Sequence, residues 1–133
     1  MNEFFGKNII SVKDFDRRQF ESIFDSVDKI IDMSRNQRYE IAKGMILGYM
    51  FFEASTRTRL SFEAAMALIG GTSIGISDII TSSVKKGETL ADTVKILSSY
   101  CDVLVLRYSL DGSSRFAAEV ADKHMINAGT GTE

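Results

Sequence analysis

The run Met45–Phe52 constrains the fold of this chain more than any other segment. It is apolar along nearly its whole length, whereas a strand with one face in water alternates apolar and polar residues. A continuous apolar run suits a central strand of a parallel sheet, because such a strand is buried on both faces. The strand–helix–strand units that build such sheets predict helices around it.

Strand-length apolar runs and helical patterns alternate along the rest of the chain. Further strands are predicted at Thr72–Ser77, Asp102–Leu106 and Met125–Ala128. Helices are predicted from an Asp16 cap to Met33, at Thr56–Ile69, at Glu88–Tyr100, and from Ser113 or Ser114 to Lys123. The polar stretch Ser34–Arg38 predicts a turn. We predict an α/β fold, a doubly wound parallel sheet of about four strands with helices on both faces.

Length and composition agree with one globular domain of ordinary size. The chain has 133 residues and a formal net charge of −2. This charge gives no electrostatic reason to expect binding to nucleic acid or to an anionic membrane. No apolar run approaches the roughly 20 residues of a membrane span. Cys101 is the only cysteine and no signal-peptide pattern begins the chain, so we expect a cytoplasmic protein.

No metal or cofactor site is predicted. His124 is the only histidine, and it lies at the amino end of its predicted strand, whereas ligands of such sheets bind at the carboxyl ends. No cluster of His, Cys and carboxylate residues has the spacing of a metal site. Gly129 and Gly131 form a G-x-G, which is too weak by itself to predict a nucleotide loop.

The segment Ser55–Arg59 predicts an anion-binding site. It places hydroxyl and arginine side chains where the buried strand turns into a helix. Free backbone N–H groups and the positive end of the helix dipole gather there, and an arginine fork matches phosphate oxygens. The alternative is an ordinary helix cap followed by solvated arginines. Arginine in a first turn opposes the helix dipole, which favours the anion site.

Four segments, in order, resemble the transcarbamoylase family: Phe51–Glu63, Ser82–Thr93, Asp102–Arg107 and Ile126–Gly129. The first segment is similar to the carbamoyl-phosphate signature. Glu53 resembles the aspartate carbamoyltransferase form, since ornithine carbamoyltransferases usually carry lysine there. The segment Ser82–Thr93 resembles the mobile loop that serves the neighbouring subunit. The last two resemble the strand that ends in a substrate-contacting arginine and the start of the family's glycine turn.

The resemblance implies roles for individual residues in binding carbamoyl phosphate. Its phosphate would be bound by side chains and backbone N–H groups of Ser55, Thr56, Arg57 and Thr58. Arg57 would stabilise charge on the bridging oxygen as the bond to phosphate breaks. Thr58 and Arg107 would also reach the carbonyl oxygen as a small oxyanion site.

Three further side chains belong to the implied site or its support. Ser82 and Lys86 would act in the active site of the next subunit, where Lys86 is a flexible point charge. Arg59 would anchor its helix through an ion pair with Glu53 or Glu63 rather than contact substrate.

The resemblance implies transfer of the carbamoyl group from carbamoyl phosphate to the amino group of L-aspartate, which gives N-carbamoyl-L-aspartate and phosphate. This is an early step of de novo pyrimidine biosynthesis. The implied partners are two further copies in a homotrimer with shared sites, and regulatory chains are a further candidate. Two alternatives stay open: an ornithine or related transcarbamoylase, and a non-catalytic phosphate-binding or assembly domain.

The chain also departs from the family pattern. Thr130 stands where the family normally has aspartate, and Tyr108 where it often has histidine. The chain stops at Glu133, before the histidine segment that follows the glycine turn and before the aspartate-binding domain. We expect residues 1–133 to be a carbamoyl-phosphate-binding domain truncated near its C-terminal end, and to be inactive alone.

Overall fold

The computed structural model describes residues 3–77 and 89–131, which form one parallel sheet with helices on both faces. The strands are β1 Ile46–Phe51, β2 Thr72–Ile76, β3 Val103–Tyr108 and β4 His124–Thr130. The helices are α1 Arg17–Asp32, α2 Arg35–Tyr39, α3 Thr56–Leu68, α4 Leu90–Ser98 and α5 Ser113–Val120. The predicted α/β class and the four parallel strands are confirmed.

β1 is an interior strand, as its apolar sequence predicts. The strand order is β2-β1-β3-β4, and all neighbouring strands run parallel. Alternate side chains of β1 and β3 enter two separate cores. Met50 and Leu104 pack with residues of α4 and α5, whereas Phe51 and Val105 pack with Met66 of α3. The two cores explain why these strands need apolar residues on both faces.

The segment before α1 covers one edge of the sheet, which was not predicted from the sequence. Ile9 forms a parallel bridge with Ile126. The N–H of Ile9 donates to Met125 O at 2.8 Å, and its carbonyl accepts from Asn127 N at 2.8 Å. The Asn127 side chain donates to Ile10 O at 2.9 Å. β4 therefore has hydrogen-bond partners on both sides.

Capping boxes start the first two helices. Asp16 accepts from Gln19 N at 2.8 Å and Gln19 Oε1 accepts from Asp16 N at 2.9 Å, which confirms the predicted start of α1. The predicted turn at Ser34–Arg38 is wrong. Ser34 and Gln37 form a second capping box, and this starts the short helix α2.

The next two helix ends differ from the sequence-based bounds. Thr89 caps α4 through a capping box with Asp92. The predicted start at Glu88 lies outside the described residues. α5 ends at Val120 rather than at Lys123, because β4 already begins at His124 and a connection must precede it.

The apolar face of α1 is largely exposed. The helix forms as its periodic apolar residues predict, yet none of its residues is buried. Phe24, Val27 and Ile31 are 63%, 46% and 65% exposed. Among the described residues, no helix has both the length and the apolar character that a membrane crossing needs.

Cys101 packs in the core. It belongs to the buried cluster between the sheet and α4. Burial raises the pKa of its thiol above the ordinary value. The thiol therefore stays protonated near neutral pH, and Cys101 serves packing rather than nucleophilic chemistry.

Candidate functional site

The carboxyl ends of β1, β3 and β4 bring the predicted site segments to one edge of the sheet. Phe51 pairs in register with Arg107, and the N–H of Phe52 donates to Arg107 O at 2.9 Å. Tyr108 pairs with Thr130 on β4. Arg107 and Thr130 are thus among the last residues of their strands, rather than beyond them as predicted. Sheet pairing alone makes the Ser55 segment, Arg107 and the glycine turn neighbours.

The Ser55 side chain does not cap the N-terminus of α3. Ser55 occupies the N-cap position with φ −151° and ψ 64°, but its side chain accepts no hydrogen bond from the helix. Asp16, Ser34 and Thr89 all cap their helices through their side chains. The first turn of α3 also holds no acidic residue. The alternative that Ser55 is an ordinary cap is therefore weaker, and the N–H groups of this turn stay available to an anion.

A cleft of about 140 Å³ opens beside this helix N-terminus. It is lined by Phe51, Glu53, Ala54, Ser55, Thr56, Arg59 and Ser77. Ser55 and Thr56 were predicted to bind phosphate, and the structure brings both to this cleft. Ser77 was missed by the sequence reasoning, although it directly follows β2. The rule that ligands bind beyond the carboxyl ends of parallel strands could have found it.

Arg57 and Thr58 lie in the first turn of α3 but are not among the residues that line the cleft. Arg57 is exposed, and it forms no ion pair with any residue within 3–77 or 89–131. Thr58 is half-buried, and its carbonyl accepts from Ser61 Oγ at 2.7 Å. Among the described residues Arg57 has no partner that an anion would displace, so its guanidinium at the positive end of the helix fits the role predicted for it.

Arg107 is held at the sheet edge by two contacts. Its Nε donates to Glu53 Oε1, and its Nη1 donates to Ala128 O at 3.1 Å. The side chains of Arg107 and Glu53 are 30% and 31% exposed, so the pair is only partly buried, and Glu53 also lines the cleft. A Cβ on Gly129 would lie 2.7 Å from Arg107 Nη1, so a larger residue there would displace the guanidinium from its present position. The sequence did not predict the pairing with Glu53.

Arg59 anchors its own helix, as predicted, and its partner is Glu63. Arg59 Nη1 lies 3.7 Å from Glu63 Oε1 and donates to Ser77 Oγ at 3.5 Å. Tyr49 on β1 belongs to the same group through a hydrogen bond with Glu63. Burial and this hydrogen bond raise the pKa of the Tyr49 phenol. Arg59 therefore links α3 to the ends of β1 and β2 while one side of it faces the cleft.

The Tyr49 phenol should make the stability of the chain fall in alkali. The folded pKa lies above the unfolded value of about 10, so the neutral phenol stabilises the fold below that pH and this contribution is lost as pH rises through the folded pKa. Urea midpoints measured from about pH 9 to 11 should fall more steeply for the wild-type chain than for Tyr49→Phe. Parallel curves would contradict this account of the cluster.

The structure does not place the remaining predicted residues at the cleft. Ser82 and Lys86, predicted to serve a neighbouring subunit, lie outside the described residues. His124 is the first residue of β4, at the opposite end of the strand from Gly129 and Thr130, as predicted. Within 3–77 and 89–131, no group of three or more His, Cys, Asp and Glu side chains could hold a metal ion.

Comparison with known proteins gives a family and a set of close relatives. Residues 7–133 match the family model described as aspartate/ornithine carbamoyltransferase, carbamoyl-P binding domain. The chain is 67% identical over its whole length to the aspartate carbamoyltransferase catalytic subunit of Nitrosopumilus maritimus, and it spans 43% of that relative. The chain therefore spans less than half the length of this relative.

Solved structures of the same family have the same fold. The catalytic subunit of M. jannaschii aspartate transcarbamoylase matches with a TM-score of 0.87 and 42% identity, covering 92% of this chain and 42% of that one. Aspartate transcarbamoylase from Trypanosoma cruzi, in complex with carbamoyl phosphate and aspartate, matches with a TM-score of 0.82 and 37% identity. That match covers 95% of this chain and 42% of the other. The chain belongs to the aspartate/ornithine carbamoyltransferase family, in which it matches the carbamoyl-phosphate-binding domain.

Proposed function

We propose that this chain supplies the carbamoyl-phosphate half of an aspartate carbamoyltransferase active site. The reaction would transfer the carbamoyl group of carbamoyl phosphate to the amino group of L-aspartate, with phosphate as leaving group. The observation that carries the proposal is the uncapped N-terminus of α3 beside the Arg107 guanidinium at one sheet edge. The T. cruzi structure, named for a complex with both substrates, supports the same assignment.

The proposed chemistry needs positioning and charge stabilisation rather than a nucleophilic side chain. The amine of aspartate attacks the carbonyl carbon directly, and the bond from that carbon to the bridging oxygen breaks. The N-terminal turn of α3, with Ser55 and Thr56, would bind the phosphate oxygens. Arg57 would neutralise charge on the leaving group, while Thr58 and Arg107 would stabilise the charge on the carbonyl oxygen.

Binding of the ligand at Arg107 would have to compete with Glu53. The carboxylate of Glu53 already accepts a hydrogen bond from Arg107 Nε, and Glu53 itself lines the cleft. An incoming dianion would meet this negative charge before it reached the guanidinium. Carbamoyl phosphate would therefore bind more weakly than it would with a fully free arginine.

Calorimetric titration of the chain with carbamoyl phosphate tests the proposal. We expect saturable binding that inorganic phosphate reverses by competition, because both ligands use the α3 N-terminus. Binding should weaken as salt concentration rises, since the contacts are largely ionic. A folded chain that binds neither ligand would contradict the proposed function, and binding of uncharged carbamate esters with equal affinity would contradict the phosphate role.

Glu53→Gln should strengthen the binding of carbamoyl phosphate by about two- to fivefold, because the half-buried ion pair that competes for Arg107 is lost. The matched control is Glu21→Gln, which removes the same charge from the exposed ion pair with Arg17. If both variants strengthen binding equally, the effect is one of net charge. Weaker binding in Glu53→Gln would mean that Glu53 holds Arg107 in its productive place.

The partners and the acceptor follow from the same proposal. We propose L-aspartate rather than ornithine as acceptor, because Glu53 and the names of the close relatives both favour it. We also propose a cytoplasmic homotrimer in which Ser82 and Lys86 serve the neighbouring site, with regulatory chains as further partners. Sedimentation of the chain with and without carbamoyl phosphate tests the trimer, and amino-acid competition in the longer protein tests the acceptor.

A further inference from the structure

Two buried hydroxyl groups join α5 to the end of β4. Thr130 Oγ1 and Ser114 Oγ lie 2.5 Å apart, and neither residue has any exposed surface. They are 16 positions apart in the sequence, on a strand and on the helix before it. Removing one of two fully buried hydroxyls that are hydrogen-bonded to each other is costly, because the other hydroxyl is left without a partner.

The strand end that Thr130 anchors is the one that contacts Arg107. Nη1 of Arg107 donates to Ala128 O at 3.1 Å, two residues before Thr130. Gly131 N donates to Tyr108 O at 3.2 Å, one residue after Arg107. The anchored segment therefore touches the arginine and the residue that follows it.

Regular pairing with β3 does not fix the position of Ala128 and Gly129 in β4. The register between β3 and β4 shifts between Leu106 and Tyr108, so Arg107 itself has no register partner on β4. Ala128 and Gly129 lie in the corresponding irregular stretch of β4, between the paired residues Asn127 and Thr130. An irregular ladder leaves the position of a strand more dependent on side-chain contacts.

We propose that the Ser114–Thr130 hydrogen bond positions Arg107 for ligand binding. It holds the end of β4 against α5, so that the Ala128 carbonyl lies where it orients the guanidinium beside Glu53, which lines the cleft. Thr130 and Ser114 are positioning residues, since neither lines the cleft nor contacts the ligand site directly. The inference deepens the proposed function, because it assigns a support to the arginine of the same site.

The first test observes Arg107 without any ligand. The Nε–H signal of Arg107 is identified in a proton–nitrogen NMR spectrum as the one that Arg107→Lys removes. Thr130→Val and Ser114→Ala should both shift this signal and speed its exchange with water, whereas Thr130→Ser, which keeps a hydroxyl, should restore it. An unchanged signal in both Thr130→Val and Ser114→Ala would overturn the inference.

The second test measures affinity for carbamoyl phosphate in the same variants. Thr130→Val should weaken binding by about five- to tenfold, the size expected when a buried hydrogen bond is lost, and Thr130→Ser should recover most of it. Full affinity in a folded Thr130→Val chain would overturn the inference while leaving the proposed function intact. If the wild-type chain does not bind carbamoyl phosphate, the proposed function is contradicted. The Arg107 NMR signal then still decides whether the Ser114–Thr130 hydrogen bond positions Arg107.

A matched control separates the loss of this hydrogen bond from the removal of a buried hydroxyl group as such. Ser98 is 1% exposed on α4, and its Oγ has no hydrogen-bond partner within the described part of the chain. Ser98→Ala should leave both the Arg107 signal and the affinity unchanged. Urea unfolding establishes that each variant is folded. If Thr130→Val fails to fold, Ser114→Ala, which removes only an oxygen atom, decides the question.

Discussion

Arg57→Ala should weaken the binding of carbamoyl phosphate by about 10- to 100-fold, the largest effect expected of any single substitution in the site. The reason is that Arg57 is an exposed cation in the first turn of α3, with no ion-pair partner among the described residues. A dianion at the helix N-terminus would gain a charge-assisted hydrogen bond from it without displacing an existing partner. Calorimetric titration of both chains measures the difference.

Arg59→Ala is the matched control for Arg57→Ala. It removes the same charge from the same helix, but the Arg59 guanidinium is already paired with Glu63 and contacts Ser77. We therefore expect a smaller loss of affinity, together with a loss of stability that Arg57→Ala does not show. Equal or greater loss of affinity in Arg59→Ala would assign the phosphate contact to Arg59, whose side chain lines the cleft.

Gly70→Ala should lower the free energy of unfolding by about 3 to 5 kcal/mol, the largest stability effect that we predict. Gly70 follows α3 with a φ of +91°, which a side chain disfavours. A Cβ at this position would also overlap the backbone oxygen of Tyr39, so α2 and α3 would have to move apart. Urea unfolding followed by circular dichroism measures the change.

Gly44→Ala separates the two causes of the effect at Gly70. Gly44 has a φ of +79°, but a Cβ there would meet no atom within 4 Å. Its replacement should therefore cost only the conformational part, about 1 to 2 kcal/mol. If Gly70→Ala costs no more than Gly44→Ala, the close approach of Gly70 to the Tyr39 carbonyl carries no weight in the stability of the chain.

Much of the fold could be predicted because it depends on local patterns. The apolar run at Met45–Phe52 predicted an interior parallel strand, and β1 is one. Asp16 and Gln19 predicted the start of α1 at the correct residue. The same kind of pattern was overlooked at Ser34, where a second capping box starts α2 instead of a turn. That error came from judging the stretch by its polarity rather than by its cap.

The candidate site could be predicted only in part. The change from buried strand to helix at Ser55 placed an anion site at the N-terminus of α3, and the structure leaves that turn uncapped by side chains. The sequence also predicted an ion pair of Arg59 with Glu53 or Glu63, and the structure shows the pair with Glu63, one helical turn away. Ser77 was overlooked although it directly follows β2, whereas the partner of Arg107 could not be predicted, since it depends on which strands become neighbours.

The sequence by itself determined the order of the strands and of every α-helix except α2, the parallel sheet and the sheet edge at which the candidate site lies. These properties follow from hydrophobic periodicity and from capping residues, which act over a few positions of the chain. Only the tertiary structure decided that Arg107 pairs with Glu53, 54 positions away, and that Ser114 bonds Thr130. No local pattern encodes such pairs, because the choice among several carboxylates and hydroxyls depends on strand order and on the register of β3 against β4.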